Sequence, residues 1–290
     1  MHARVAAATT TALFGLGVAI LPTPHAGATG GDGPVVVAHR GASAYAPENT
    51  LAAVDRAAAM GIDWVENDVQ RTKDGRLVVI HDATLNRTTD AKRLYPQRAP
   101  WRVKDFTAAE IARLDAGSWF GRRYAGARVP TLRQYLDRVS RNHQKLVLEI
   151  KNPQLYPGIE RQTLDLLNNE GWLDGDHLGR RLVVQSFSAD SVRRVHRLRP
   201  GIRTAYLGTP PTAELPAYAR FADQINSAYS GLSPRYVSAV HALKGPHGTP
   251  VKVFAWIVNS GGDAERLTGY GVDGLITNVP DVVRRAVTAS

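Results

Sequence analysis

The chain contains no cysteine in 290 residues. Disulfide staples and thiolate zinc sites are therefore excluded, and the fold must rest on a hydrophobic core alone. Past residue 21 no apolar run approaches the ~20 residues that cross a bilayer. No internal repeat or low-complexity tract suggests an array or a disordered chain. Basic stretches with interleaved aromatics, which would stack nucleic-acid bases, are also missing. The formal charge is nevertheless +10, from 36 basic and 26 acidic residues. Its pairs, Arg122-Arg123, Arg180-Arg181, Arg193-Arg194 and Arg284-Arg285, lie far apart. No nucleic-acid partner is expected. A weak attraction to anionic membrane or cell-wall polymers is.

Hydrophobic residues make up 43% of the chain, enough for one large core. His2 and Arg4 open a mostly apolar stretch over 5–21, broken by Pro22 and Pro24 before Ala26-Gly27-Ala28. This predicts a cleaved secretion signal over 1–28 and a secreted mature protein. A Gly-rich linker over 29–34 and a single catalytic domain over 35–290 would follow. A membrane anchor is the competing reading, weakened by Thr9, Thr10, Thr11, Gly15 and Gly17.

Beyond the linker, apolar runs at 35–38, 64–69, 77–80, 146–150, 182–185, 204–207, 223–226, 251–256 and 274–276 read as strands. A helix capped by Asn49 or Thr50 runs to Met60 and stops at Gly61. Helical patterns recur near 107–114, 131–140, 160–169, 189–198, 234–243 and 264–269. The turn Arg71-Thr72-Lys73-Asp74-Gly75 is too short for a crossover, so the third run returns antiparallel to the second. Setting that return aside leaves eight parallel strands. The expected fold is an α/β (β/α)8 TIM barrel with a hairpin and a small insertion, about 83–130, after the second strand. Trp101, Trp119 and Phe120 are available to pack the insertion down.

Charged residues collect at the strand ends. Glu66 and Asp68 are two apart on one strand, hence on one face with Cα atoms roughly 6.5–7 Å apart. Glu149 and Lys151 repeat the spacing later, and the hairpin brings His81 back beside Glu66. His39-Arg40 ends the first strand. Three hard carboxylate donors, Glu66, Asp68 and Glu149, suit Mg2+ or Ca2+ rather than zinc. The competing reading has them simply held by Arg40 and Lys151. His39 and His81 can exchange protons near neutrality, and Arg40 and Lys151 can face phosphate oxygens. Together these are the parts of metal-assisted phosphodiester cleavage. Trp256 and Phe187 either wall the substrate alcohol or fill the barrel mouth. Glu48 and Asn49 read as ordering a loop and capping a helix, and His143, His177, His196, His241 and His247 as structural or surface residues.

His39-Arg40-Gly41, Pro47-Glu48-Asn49-Thr50, Glu66-Asn67-Asp68-Val69-Gln70, Thr72-Lys73-Asp74-Gly75, His81-Asp82, Leu148-Glu149-Ile150-Lys151, Gln185-Ser186-Phe187 and Trp256-Ile257-Val258-Asn259 follow in that order. Over 35–280 the chain thereby resembles the glycerophosphodiester phosphodiesterase family. The resemblance implies hydrolysis of small glycerophosphodiesters to glycerol 3-phosphate and an alcohol, with one divalent cation. The chemistry suggests passage through a cyclic phosphate, with His39 as first base and His81 as first acid by analogy with related barrels. A phospholipase D-type enzyme acting on lysophospholipids or sphingomyelin is the nearest alternative, but such relatives generally lack the Glu149-x-Lys151 pair. A non-catalytic cell-envelope polymer-binding protein would be expected to have lost one of these groups. Two residues depart from the family pattern, Asn67 and Asn278. Neither is expected to touch the catalytic groups, though Asn67 leaves the opposite strand face in need of a polar partner.

Overall fold

Among the described residues nine strands form, most of them short runs rich in Val, Ile and Leu. They are β1 (Val35–Ala38), β2 (Trp64–Arg71), β3 (Leu77–Val79), β4 (Lys145–Ile150), β5 (Leu182–Ser186), β6 (Arg203–Leu207), β7 (Gln224–Ala228), β8 (Lys252–Trp256) and β9 (Gly274–Thr277). The computed structural model describes His2 and residues 33–288. Apart from His2, the expected signal and the linker up to residue 32 lie outside the described residues.

The sheet runs β1-β9-β8-β7-β6-β5-β4-β2 and closes because β1 pairs parallel with both β9 and β2. β3 lies outside the closure, antiparallel to β2 with Val69 opposite Val79. The result is the eight-stranded parallel barrel that the alternation predicts, with the hairpin as an excursion. Side-chain oxygens start most of the helices. Thr50 caps Leu51–Ala59, Thr131 forms a capping box on Leu132–Arg141, and Ser188, Ser233 and Ser260 cap later ones. The helices Gly175–Arg180 and Pro280–Thr288 were not anticipated. The first is short and carries two glycines, and the second begins on a proline, a permitted first position.

Alternation along each strand separates two apolar layers. Outward-facing Val65, Val69, Leu146 and Leu148 pack beneath Val54, Leu136 and Leu164 of the surrounding helices. A matching cluster covers β7, β8 and β9. On the inner face Val37, Val147, Val183, Ala205, Phe254 and Ile276 fill the lower barrel with Trp64. One pleat further along the same faces the chemistry changes to His39, Glu66, Glu149 and Gln185. The apolar plug is thus the floor on which the polar groups stand, at the C-terminal ends of the strands.

The insertion has a core of its own, in which Leu85, Phe106, Ile111 and Leu114 pack on Val78 and Ile80 of the hairpin arm. Its expected helix shortens to Ala108–Ile111, started by a Thr107–Glu110 capping box. Trp101 packs against this core, but Trp119 does not pin the insertion: it is 43% exposed. No helix among the described residues is long and apolar enough to cross a membrane.

Candidate active site

Register builds the acidic centre. Asp68 on β2 pairs directly with Glu149 on β4, and Glu66 lies one pleat below Asp68 on the same face. One oxygen from each of the three buried carboxylates lies within 4.8 Å of the others. Two ionised carboxylates at that spacing repel by about 3–4 kcal/mol at an effective dielectric near 20. Burial, then Asp68 and Glu149, holds the Glu66 carboxyl well above the usual range. Burial, then Asp68, pushes Glu149 up to about 8 against the pull of Lys151. Asp68 stays low, because Arg40, His81 and Lys151 outweigh the burial that opposes its charge.

The residues fit a hard divalent cation. All three donors are oxygens, and Asp68 Oδ1 is buried without a hydrogen-bond partner. Arg40 and Lys151 do pair with the cluster: Arg40 Nε is 3.2 Å from Asp68 Oδ2, and Lys151 Nζ is 3.0 Å from Glu149 Oε1 and 3.8 Å from Asp68 Oδ1. The reading in which these two cations alone hold the carboxylates leaves Asp68 Oδ1 without a hydrogen bond and does not account for the raised Glu66. One divalent ion among the three would relieve both.

Two residues read as loop-ordering and capping groups have other duties. Thr50 is the helix cap, while the Asn49 amide donates to Asp68 Oδ2 at 2.7 Å and accepts from the Asp68 backbone N–H at 3.3 Å. Glu48 accepts from Arg40 Nη1 at 2.8 Å. The Arg40 backbone N–H donates to Glu66 Oε2 at 2.9 Å. Arg40 and Asn49 both sit at positive φ, 55° and 59°. Such strain is typical where a backbone is bent to serve a site. Gly41, at φ 78°, lets the chain turn there: a Cβ would lie 2.6 Å from the Ala53 carbonyl carbon.

The histidines reach this centre from the ends of β1 and β3. β1 and β9 pair Ala38 with Thr277, so His39 and Asn278, the next residues, emerge side by side. His39 Nδ1 is 2.6 Å from Asn278 Oδ1, which also accepts from Ser43 Oγ at 2.8 Å. The expectation that neither departure meets a catalytic group therefore fails for Asn278. It holds for Asn67, which lies on the outer face between Val65 and Val69. Its amide is buried there with no hydrogen-bond partner, so the polar partner expected for it is absent. Burial, then the Arg40 guanidinium, pushes His39 down to about 4.

His81 follows the hairpin return. The Ile80 N–H bonds the Asp68 carbonyl at 2.9 Å, and the Gln70 amide reaches the carbonyls of Ile80, His81 and Asp82 at 2.9, 3.0 and 2.6 Å. His81 Nδ1 is 2.7 Å from Asp82 Oδ1. Both histidines, Arg40, Lys151, Glu66 and Glu149 line one cavity of about 80 Å³. Its apolar wall is Leu207, Ile276, Trp256 and Phe187, the last two edge to face at 5.6 Å. Trp256 is held by its indole N–H on the Asn226 carbonyl at 2.8 Å. Gln185 accepts from Asn226 at 2.8 Å and lies 3.5 Å from Glu66.

All eight residues singled out from the sequence meet here: His39, Arg40, Glu66, Asp68, His81, Glu149, Lys151 and Trp256. His177, His241 and His247 instead pair with Asp174, Asp273 and Asp223 away from the cavity. Sequence reasoning gave no role to Asn278, Gln185, Asn226, Asp82 or Arg87. Strand parity could have found Gln185, which shares the inner face with Val183. The surface cleft lined by Arg161, Arg194, Arg197 and Asp165 is larger, about 470 Å³, but has no histidine and only one carboxylate.

Comparison with known proteins agrees with this geometry. The model of the "Glycerophosphoryl diester phosphodiesterase family" matches residues 39–282. A glycerophosphodiester phosphodiesterase of Bacillus subtilis is 35% identical over 94% of this chain and 96% of its own. One from Caldanaerobacter subterraneus is 38% identical over 86% of this chain and 96% of its own. Among solved structures, an Oleispira antarctica phosphodiesterase in complex with the product sn-glycerol-3-phosphate superimposes with a TM-score of 0.76. It is 30% identical and covers 88% of this chain and 97% of its own.

Proposed function

We infer, for a chain that belongs to the glycerophosphoryl diester phosphodiesterase family, that it hydrolyses glycerophosphodiesters to glycerol 3-phosphate and an alcohol. It is a phosphoric diester hydrolase. The observation that carries the reading is one cavity lined by two histidines, two cations and Glu66 and Glu149 of the three-carboxylate cluster. Arg40 and Lys151 face the non-bridging phosphate oxygens and offset the charge that builds there. Mg2+ or Ca2+ held by Glu66, Asp68 and Glu149 would supply Lewis-acid polarisation of the phosphoryl oxygen.

The hydrogen bonds of the histidines support distinct roles. Asn278 Oδ1 accepts from Nδ1 of His39, which leaves the Nε2 lone pair for the substrate. His39 removes the proton of the glycerol hydroxyl beside the phosphate, and that oxygen bonds to phosphorus. The bond from phosphorus to the alcohol oxygen breaks, and His81 hands its proton to the departing alkoxide. Water then opens the cyclic phosphate with the two histidines in exchanged roles. Asp82, held below the usual carboxylate range by its hydrogen bond to His81 and by Arg87, stabilises the imidazolium that must form.

The test is a metal-depleted protein assayed over a panel of glycerophosphodiesters, with each cation then restored. Glycerol 3-phosphate should appear only with Mg2+ or Ca2+. Full turnover in chelator would sink the carboxylate-site reading, and lysophosphatidate release without glycerol 3-phosphate would favour phospholipase D chemistry.

Two further readings accompany it. The first 28 residues direct export, so mass spectrometry of the secreted protein should find an N-terminus near Thr29; an intact Met1 on a membrane-embedded protein would refute this. The catalytic end also favours an anionic surface. Residues 83–130 carry ten arginines and lysines against four carboxylates. Among the described residues the exposed large apolar side chains, Trp119, Leu155 and Phe187, all lie in segments that follow β3, β4 and β5. Equal sedimentation with anionic and zwitterionic vesicles would argue against such a surface.

A further inference from the structure

Arg87 lies in the insertion and lines no part of the catalytic cavity, yet all its hydrogen bonds lead toward it. Its Nε and Nη2 donate to Asp82 Oδ2 and Oδ1 at 2.6 and 2.9 Å. Its Nη1 and Nη2 donate to Glu48 Oε2 and Oε1 at 2.8 and 2.7 Å. One planar fork is thus bidentate to two carboxylates. Each carboxylate leads inward: Asp82 Oδ1 to His81 Nδ1 at 2.7 Å, and Glu48 Oε1 to Arg40 Nη1 at 2.8 Å.

We propose that Arg87 is a positioning residue that holds Asp82, and through it the ring of His81, in line with the catalytic cavity. This rests on the assignment of His81 as the acid. Asp82 is 26% exposed, and among the described residues its carboxylate bonds, besides His81, only to Arg87. Without Arg87 it is free to turn toward water and take the His81 ring with it. Glu48 would keep Arg40, so the phosphate-facing side would remain in place. A lysine cannot replace the fork, because a single ammonium cannot meet four carboxylate oxygens in one plane. Arg87 is 43% exposed, and exposed ion pairs add little to stability, so its loss should leave the fold intact.

The experiment measures wild type, Arg87→Ala, Arg87→Lys, Asp82→Asn, the double variant Arg87→Ala/Asp82→Asn, and His81→Ala. Each is assayed on a natural glycerophosphodiester and on a nitrophenol ester of glycerol phosphate, whose leaving group needs no proton. Both substrates are run in the steady state and by single-turnover release of the alcohol or nitrophenol. Single turnover reads the first step apart from the ring opening that uses His81 again, and is the readout for rescue. Melting temperatures are recorded in parallel. Both Arg87 variants should lose about 10–100-fold in kcat on the natural substrate, with KM changed much less and melting temperature nearly unchanged. The loss should shrink by about tenfold on the nitrophenol ester, as for a missing acid. The double variant should be no worse than Asp82→Asn alone, because both changes act through one ring.

Equal losses on the two substrates, additive losses in the double variant, or full activity of Arg87→Lys would each overturn the proposal. If His81→Ala is rescued by the nitrophenol ester and Arg87→Ala is not, the positioning role falls and the acid assignment stands. If His81→Ala itself shows no rescue, the acid assignment fails and the Arg87 role fails with it.

Discussion

Replacing Asn278 by aspartate should move the acid limb of the pH profile to higher pH while leaving the barrel unchanged. The substitution is nearly isosteric and puts a carboxylate oxygen where the amide oxygen already accepts from His39 Nδ1 at 2.6 Å and from Ser43 Oγ at 2.8 Å. At that contact the new charge would sit about 4 Å from the centre of an imidazolium. That separation is worth about 4 kcal/mol at an effective dielectric near 20, or about three pKa units. Ser43 and water at the barrel mouth would reduce this, so a rise of about 1–3 units is expected. Burial, then Arg40, places His39 at about 4 in the native chain. A base is active only when unprotonated, so raising its pKa moves the loss of activity upward in pH. With the midpoint near 6, about one tenth of the variant would hold an unprotonated His39 at pH 5, where most of the native His39 would be unprotonated. Any cation on the carboxylates enters both proteins alike and cancels in the difference. The assay is kcat/KM from pH 4 to 9 on one glycerophosphodiester. Acid limbs that coincide would refute the reasoning, because the Asn278 contact would then not govern the catalytic base.

Asn49→Ala removes the amide that fixes Asp68 and should weaken Mg2+ or Ca2+ binding about 10–100-fold by calorimetric titration, while the lost buried bonds cost the metal-free protein about 1–3 kcal/mol in denaturant unfolding; unchanged affinity would show that Asp68 needs no such support. Gly41→Ala places a Cβ 2.6 Å from the Ala53 backbone at a positive φ, and should cost roughly 2–4 kcal/mol in denaturant unfolding. A loss below about 0.5 kcal/mol would mean that the turn after His39 relaxes easily.

Short apolar runs between helical patterns located all nine strands of the described residues and, through the short turn after Arg71, the hairpin. They could do so because strands buried on both faces read as apolar runs, whose faces repeat every two residues, and a turn that short cannot hold a crossover helix. The same parity put Glu66 with Asp68 and Glu149 with Lys151 on shared faces before any contact was known. Motif order carried His39 and His81 into the same site. Local composition was less informative where packing decides: Trp119 is as apolar as Trp101, yet only Trp101 found the core of the insertion.

Residue types and their spacing therefore determined the strands, the Glu66–Asp68 and Glu149–Lys151 pairs and, through motif order, both histidines, whereas the meeting of Asp68 with Glu149 rests on the register of β2 against β4. Tertiary structure alone decided which second residues complete them. Asn278 meets His39 because β1 and β9, 239 residues apart at that contact, close the barrel in one register. Arg87 meets Asp82 and Glu48 because an irregular insertion folds back over the hairpin. Asn49 turns from its helix to Asp68 because the loop after β1 reaches the end of β2. Such contacts depend on strand register and loop course, and no period in the sequence encodes either.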